Sequence, residues 1–217
     1  ESAFFGVVIS LLAYELGMLL KKKFGLPIFN PLLISIAVVI VFLAVFDIDY
    51  QSYNDGAKYL SYLLTPATVC LAIPLYEQME ALKKNIKAIL AGILSGVLTS
   101  LTVVLALALI FNLNHKMYVT LLPKSITTAI GMGVSEELGG AVTITVAVII
   151  ITGVLGNMLA ETLCKLFHIE EPIAKGISIG SASHAIGTAK AMEMGDVEGA
   201  MSSLSIAVSG LLTVVVS

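Results

Sequence analysis

The fold of this chain is decided by Gly180-Ser181-Ala182-Ser183-His184-Ala185-Ile186-Gly187-Thr188-Ala189-Lys190, a polar stretch with two glycines inside an apolar segment. A similar interruption reads Thr65-Pro66-Ala67-Thr68-Val69-Cys70-Leu71-Ala72-Ile73-Pro74. Each lies near the middle of a segment about long enough to cross a bilayer. A broken membrane helix leaves backbone N–H and C=O groups that lipid cannot satisfy, so such breaks face protein or a wet cavity. Two breaks in corresponding halves of a chain point to a transporter's substrate site.

The composition is that of a membrane protein. Of 217 residues, 58% are hydrophobic and 12% are charged, whereas an ordinary soluble domain is about 25% charged. All twelve basic residues are lysines, so no arginine is present for nucleic-acid recognition. No polar stretch is long enough for a soluble catalytic domain. We therefore expect no enzymatic activity, no cofactor and no bound metal.

Eight apolar segments follow one another, and a helix needs about 20 residues to cross the hydrocarbon core. The sequence predicts one all-α polytopic membrane domain over residues 1–217, in which discontinuous helices cross near the middle of the membrane. The eight segments cover approximately residues 3–20, 30–46, 58–80, 86–111, 118–135, 139–165, 172–194 and 197–217.

The two halves of the chain resemble repeats of four segments each, about 3–111 and 118–217. A shift of about 114 residues carries Ser95-Gly96 onto Ser209-Gly210 and carries the first break onto the second. Inversion requires an odd number of crossings per half, which follows if the polar segment 118–135 dips into the membrane and returns. Lys165 and Lys175 would then lie inside, with Glu193, Asp196 and Glu198 outside, as the lysine rule favours. We predict inverted repeats on this ground.

The breaks themselves offer groups that suit an anion. Half-helices that meet in the membrane direct positive N-terminal ends at the gap, and hydroxyl groups add donors. The alternative is that prolines and glycines only kink packed helices. Substrate-binding candidates within the two breaks are Thr65, Thr68, Ser181, Ser183, His184, Thr188 and Lys190.

His184 and Lys190 each have two interpretations. A histidine at membrane depth relays protons or binds substrate, or else it is a neutral side chain hydrogen-bonded to a carbonyl. Lys190, at the end of the second break, either binds substrate or caps a short half-helix.

Lys124 is the most suggestive charge, because an ammonium in mid-membrane costs at least about 2.5 kcal/mol. It needs a carboxylate partner or an anionic ligand, unless it snorkels to the surface near Lys116. Its neighbours Ser125, Thr127 and Thr128 are further substrate-binding candidates.

Three polar residues elsewhere are proton or gating candidates together with His184. Glu161 and Asn157 lie one helical turn apart and share a face. Glu161 could pair with a lysine or carry a proton, and Asn157 could simply bridge helices. Glu137, in a predicted connector, could reach a gate.

Several ordered motifs closely resemble the LrgB/CidB family across essentially the whole chain. They are Asn30-Pro31-Leu32-Leu33, Pro66-Ala67-Thr68 with Ile73-Pro74-Leu75-Tyr76, Pro123-Lys124-Ser125, Gly133-Val134-Ser135-Glu136, Gly156-Asn157, Ser183-His184-Ala185-Ile186-Gly187-Thr188-Ala189 and Glu198-Gly199-Ala200. The family includes bacterial proteins described as antiholin-like or as regulators of murein hydrolase export, and the membrane domain of the plastidal glycolate/glycerate translocator. The resemblance implies a multi-pass protein of the bacterial or archaeal inner membrane. It also implies a small LrgA/CidA-like holin partner.

Two functional hypotheses follow, and a third has little support. The first is an alternating-access carrier of a small monocarboxylate such as glycolate, glycerate, lactate or pyruvate, with or without a coupled proton. The second is an antiholin-like regulatory protein that tunes a holin-like partner. Membrane-bound hydrolysis is disfavoured because Ser183 and His184 are adjacent and no orienting third residue is evident. A homodimer could form through Gly92–Gly96, unless that face packs internally.

Overall fold

The computed structural model describes residues 4–26 and 29–217, the side chains of Leu64, Thr65 and Thr68 excepted. Every regular element in these ranges is an α-helix. The chain contains two compact units, residues 1–70 and 71–217.

In the first unit, residues 4–26 and 29–70 contain four helices. These are α1 (Phe5–Phe24), α2 (Pro31–Val45), α3 (Tyr50–Ser61) and α4 (Leu64–Cys70). Asn30 caps α2, where its side chain accepts from the Leu32 and Leu33 amides and Pro31 occupies the first turn. Gly17 allows α1 to cross closely over α2, since an added Cβ would lie 2.7 Å from the Pro31 carbonyl oxygen.

The second unit contains seven helices. These are α5 (Ala72–Glu77), α6 (Met79–Ile110), α7 (His115–Leu121), α8 (Thr128–Glu137), α9 (Val142–Leu166), α10 (Pro172–Met194) and α11 (Asp196–Val216). Within the described residues, α6, α9 and α11 are the helices both long and apolar enough to cross a membrane. They form a frame into which α7, α8 and α10 insert.

Helix α10 is a hairpin rather than a crossing helix. Its dihedral angles are non-helical at Ser183 and at His184, where φ is +43°. An added Cβ at Gly187 would lie 3.2 Å from Ile179, and Ile179 packs in one cluster with Ala191. Residues eight positions apart in a continuous helix are separated by about 12 Å along its axis. The prediction that 172–194 crosses the membrane is therefore wrong, because the chain reverses at its break.

Helices α7 and α8 form a second hairpin, so the segment 118–135 dips and returns. The Thr145 hydroxyl bonds both the Thr120 carbonyl of α7 and the Ser135 hydroxyl of α8, at 2.9 and 2.6 Å. Nearer the tip, a Cβ at Gly131 would lie 3.4 Å from the Pro123 carbonyl. Thr120 therefore lies near Ser135, and Pro123 lies near Gly131. This pairing, in which later residues of one arm meet earlier residues of the other, shows that the two arms are antiparallel.

The two hairpins enter the frame from opposite ends. The first arm of α10 runs parallel to α6, since Gly92 meets Ile177 and Gly96 meets Ser181. The α7–α8 hairpin begins where α6 ends. Both tips reach Ile149 of α9, which contacts His184 and Gly131.

Gly92 and Gly96 of α6 face α10, where they meet the side chains of Ile177 and Ser181. Lys165, Lys175, Glu193 and Glu198 line one pocket of about 400 Å³. The prediction that Glu193, Asp196 and Glu198 lie opposite Lys165 and Lys175 is wrong, because α10 returns to the end from which it entered.

Candidate functional site

A cavity of about 940 Å³ runs between α6 and the first arm of α10. Its shallow end is bounded by Asn85 and Glu171, and its deep end by Lys124 and Ser125 of the α7–α8 hairpin. Its walls are mainly apolar, but hydroxyl groups gather toward the deep end. The polar lining there comprises Ser95, Thr99, Ser100, Ser178 and Ser181. The cavity is a groove that is open along its side, because the wall residues Ser95, Thr99, Val103, Ser178 and Ala182 are exposed, and it reaches the polar groups at the tip of the α7–α8 hairpin.

Lys124 lies half-buried at the deep end of this cavity. Its Nζ donates to the Ser125 hydroxyl at 2.9 Å, and Ser125 bonds the Ser100 hydroxyl at 3.1 Å. Within the described part of the chain, no carboxylate lies within ion-pair distance of Lys124. An ammonium without a counter-ion at membrane depth is costly, so this arrangement favours an anionic ligand.

A second, much smaller cavity lies where the hairpin tips approach each other. Its volume is about 10 Å³, close to that needed for one water. Ser100, Ser125 and Ser181 line both cavities, and Ser209 and Thr213 of α11 close the small one. Ser209 is 1% exposed, and its hydroxyl has no hydrogen-bond partner among the described residues. The tips thus meet at a cluster of hydroxyl groups, in which the Ser209 hydroxyl makes no hydrogen bond to another described residue.

The returning arms of both hairpins begin at the tips. Helix α8 starts after Thr127, whose side chain makes no capping hydrogen bond, and the second arm of α10 starts after His184. A helix N-terminus carries about half a positive charge. At each tip the positive end of the returning arm therefore lies beside the negative end of the entering arm, so Lys124 is the main source of positive charge there.

The other polar residues at the tip of α10 face away from this cavity. His184 is 2% exposed, and its Nε2 donates to the Ile149 carbonyl at 3.0 Å. Ser183 donates to the Ile179 carbonyl and packs against Gly156. Thr188 bonds the His184 carbonyl and the Ser202 hydroxyl, at 3.0 and 2.7 Å. These three side chains bind the hairpin to α9 and α11.

The second arm of α10 is also held by polar contacts from α9. Asn157 Nδ2 donates to the Ile186 carbonyl at 2.8 Å. Lys190 forms ion pairs with Glu161 at 3.5 Å and with Glu193 at 3.3 Å. Asn157 and Glu161 therefore share a face, and that face contacts the returning arm.

The remaining candidates either lie apart from the cavity or have side chains outside the described residues. Thr127 and Thr128 are at the start of α8, and Glu137 is exposed at its end. The side chains of Thr65 and Thr68 lie outside the described residues, although the backbone of α4 is helical there. Of the residues predicted to bind substrate, the structure brings Lys124, Ser125 and Ser181 together.

Sequence reasoning missed the hydroxyl groups that α6 and α11 contribute. Ser100 and Thr99 lie on α6, and Ser209 and Thr213 on α11. A signal was present, because one face of the apolar α11 carries hydroxyls at helical spacing. This series consists of Ser202, Ser205, Ser209 and Thr213.

This architecture defines a class of protein: a helical membrane protein with two re-entrant hairpins and a polar interior. The chain belongs to the LrgB-like family, whose model matches residues 10–217. It is 42% identical over 214 residues to proteins named antiholin-like protein LrgB from Bacillus mycoides (strain KBAB4) and Bacillus cereus (strain B4264). These matches cover 98% of this chain and 93% of each relative. No solved structure matches the chain.

Proposed function

We propose that this chain is an antiholin-like protein of the bacterial inner membrane. It regulates a small holin-like partner of the LrgA/CidA type, and through that partner murein hydrolase export or autolysis. The observation that carries this proposal is the 42% identity to proteins of that name over nearly the whole chain. Neither this proposal nor the one below includes an enzymatic step or a cofactor.

Reconstitution tests the regulatory proposal. A holin-like partner encoded beside this chain, reconstituted alone into dye-loaded liposomes, is expected to release dye. Adding this chain is expected to reduce that release and to retain the partner on an affinity column. Equal leakage with and without this chain, and no co-purification, would contradict the proposal. An unrelated helical membrane protein at the same molar ratio controls for crowding.

We propose a carrier activity as the second candidate, for a small monocarboxylate of the glycolate, glycerate, lactate or pyruvate class. The specific observation that favours it is the unpaired Lys124 ammonium at the deep end of a cavity. A regulator acting only through apolar helix contacts has no need of it. Movement of the hairpins against α6, α9 and α11 would expose the site to each side in turn. A proton is the expected coupled ion.

Uptake into proteoliposomes tests the carrier. Labelled glycolate or lactate is expected to accumulate above empty liposomes, and more so with an inward proton gradient. Lys124→Gln should abolish uptake, whereas Lys116→Gln, an exposed lysine on α7, should retain it. No uptake across a panel of small acids would reject a carrier and leave the regulatory proposal standing.

A repeat of the two halves remains part of this proposal. Adding about 114 to residues 31–45 of α2 gives 145–159, which lie within α9, and the same shift carries residues 83–102 of α6 onto 197–216 of α11. Because α10 returns to the end from which it entered, α6 and α11 begin at the same end and run parallel, so the α7–α8 hairpin does not by itself invert the second half. A homodimer also remains a proposal, without an assigned interface.

A further inference from the structure

A second pocket lies at the open end of the α10 hairpin, where both arms meet the end of α9 and the start of α11. Its volume is about 400 Å³, which suits a small organic molecule. Ile169 is the one described residue that also lines the groove beside α6. The pocket presents charges of both signs, from Glu161, Lys165, Glu170, Lys175, Glu193 and Glu198.

Glu198 is a buried carboxylate without a partner in this pocket. It is 9% exposed, and its side chain forms neither an ion pair nor a hydrogen bond with any described residue. It belongs to the first turn of α11, whose positive end offsets only part of the cost of burying a charge. A positive group that enters the pocket would compensate the remainder.

The lysines around the pocket do not supply that group. Lys190 pairs with Glu161 and Glu193, at 3.5 and 3.3 Å. Lys175 is partly exposed and lines the same pocket as Glu198, yet no ion pair between described residues joins the two. Opposite charges therefore share one cavity at a separation too large for direct pairing.

The two signs of charge select a zwitterion. A simple cation would be repelled by Lys165 and Lys175, and a simple anion by Glu170 and Glu198. A molecule with an ammonium at one end and a carboxylate at the other compensates both. A bare metal ion is disfavoured, because the described residues contain no group of three or more His, Cys, Asp or Glu side chains placed to hold one.

We propose that this pocket binds a small zwitterion of the amino-acid type, with its ammonium against Glu198 and its carboxylate toward Lys175. Lys175 belongs to the first arm of α10 and Glu198 to α11, so the bound molecule bridges these helices and restrains the open end of the hairpin. The site goes beyond both proposed functions, and its failure would leave both unchanged.

Cys164 reports occupancy of the pocket, because its buried thiol lines it. In purified Cys70→Ser protein, mass spectrometry follows modification of Cys164 by methyl methanethiosulfonate, a small uncharged reagent. At constant ionic strength, glycine, β-alanine or 4-aminobutyrate should slow this modification severalfold. Methylammonium, acetate and magnesium chloride should slow it much less, since each compensates one sign of charge.

Substitutions at the start of α11 test the role of Glu198. Glu198→Gln should remove most of the protection by zwitterions. Asp196→Asn, which neutralises an exposed acid outside the pocket, should retain it. Gly195→Ala is a second variant, because its methyl group would clash with Oε2 of Glu198 and displace that flexible side chain. It should also weaken protection, and an unchanged elution volume shows that each variant is folded.

The parent protein by itself can contradict the site. No protection by any of the three zwitterions would overturn it, as would equal protection by methylammonium, acetate or magnesium. Protection that survives Glu198→Gln would overturn the assigned contact. In a background without native cysteines (Cys70→Ser and Cys164→Ala), the Lys116→Cys thiol on α7 should react at one rate with and without zwitterion. Equal slowing of that thiol would show an effect unrelated to the pocket.

Discussion

The side chains at the tip of α10 point in two different directions. Ser181 faces α6 and the large cavity, whereas Ser183 and His184 face α9. Residues two positions apart on a helix point about 200° apart. Ser181 and Ser183, although close in sequence, therefore contact different helices. His184 has a left-handed φ of 43°, which is unusual for a residue with a side chain. Its bond to the Ile149 carbonyl helps to hold that conformation.

Close approach at Gly156 lets the α10 tip pack against α9. An added Cβ would clash with Ser183. Gly156→Ala is expected to destabilise the protein by about 1–3 kcal/mol, the usual cost of overpacking. Thermal unfolding in detergent, followed by the fraction that remains monodisperse, measures this.

Gly133 provides the matched control, because a Cβ there meets nothing within 4 Å. Gly133→Ala should leave the melting temperature unchanged or raise it, since alanine favours a helix by up to about 1 kcal/mol. Equal effects of the two substitutions would show that the tip does not pack against Gly156.

Sequence alone identified some of this site and misplaced other parts of it. An unsatisfied ammonium at membrane depth needs an anion, so Lys124 with Ser125 could be singled out from chemistry. The direction of His184 could not, because it depends on which neighbouring helix the tip meets. The hydroxyls of α6 and α11 were overlooked since isolated serines in apolar helices commonly bond their own backbone, as Ser205 does.

At the scale of elements, the two hairpins explain why segment length misleads. The 23 residues of α10 suffice for a crossing helix. A break in such a segment permits either a kink or a reversal of the chain, and the sequence pattern is the same for both. The choice is made by tertiary contacts, in which Gly153, Gly156, Gly176 and Gly180 admit the arms against α9 and α11. The polar segment 118–135 was a better guide, because its composition disfavoured a lipid-facing span.

Cross-linking distinguishes a hairpin from a continuous α10. In the background without native cysteines, the Ile179→Cys/Ala191→Cys pair is expected to form an intramolecular disulfide on mild oxidation, since the two residues pack together. In a continuous helix they would be about 18 Å apart. Counting free thiols with a maleimide-linked polymer measures bond formation.

The control pair has the same spacing in an unbroken helix. Leu94→Cys/Ala106→Cys in α6 should remain reduced under the same conditions. Free thiols in the Ile179→Cys/Ala191→Cys protein, equal in number to those of this control, would rule out the hairpin.

The returning arm of α10 should depend more on Asn157 than on Lys190. Asn157 satisfies the Ile186 carbonyl near the tip, and Asn157→Ala is expected to cost about 1 kcal/mol. The partners of Lys190, Glu161 and Glu193, are each about half exposed. Lys190→Gln should therefore cost less, because solvent screens such pairs. Melting temperatures compare the two, and a greater loss for Lys190→Gln would contradict this ranking.

For the whole molecule, the distribution of charge along the frame predicts its orientation in the membrane. Lys83, Lys84, Lys87, Lys165 and Lys175 all belong to the end where α6 and α10 begin. Lys116 lies at the opposite end, with Glu136 and Glu137. Lysines favour the cytoplasmic side, so the end where α6 and α10 begin should face the cytoplasm, and the α7–α8 hairpin should enter from the outer side.

Labelling in intact cells checks this orientation and both hairpins together. In the cysteine-free background, Lys116→Cys and Glu137→Cys should both react with a membrane-impermeant maleimide from outside. Glu170→Cys and Asp196→Cys should both react only after permeabilisation. If instead 118–135 and 172–194 cross the membrane, the members of each pair lie on opposite sides, because each pair flanks one segment. Labelling of only one member of a pair would therefore refute the hairpin that the pair flanks. Labelling of Glu170→Cys and Asp196→Cys from outside, with Lys116→Cys and Glu137→Cys protected, would refute the orientation.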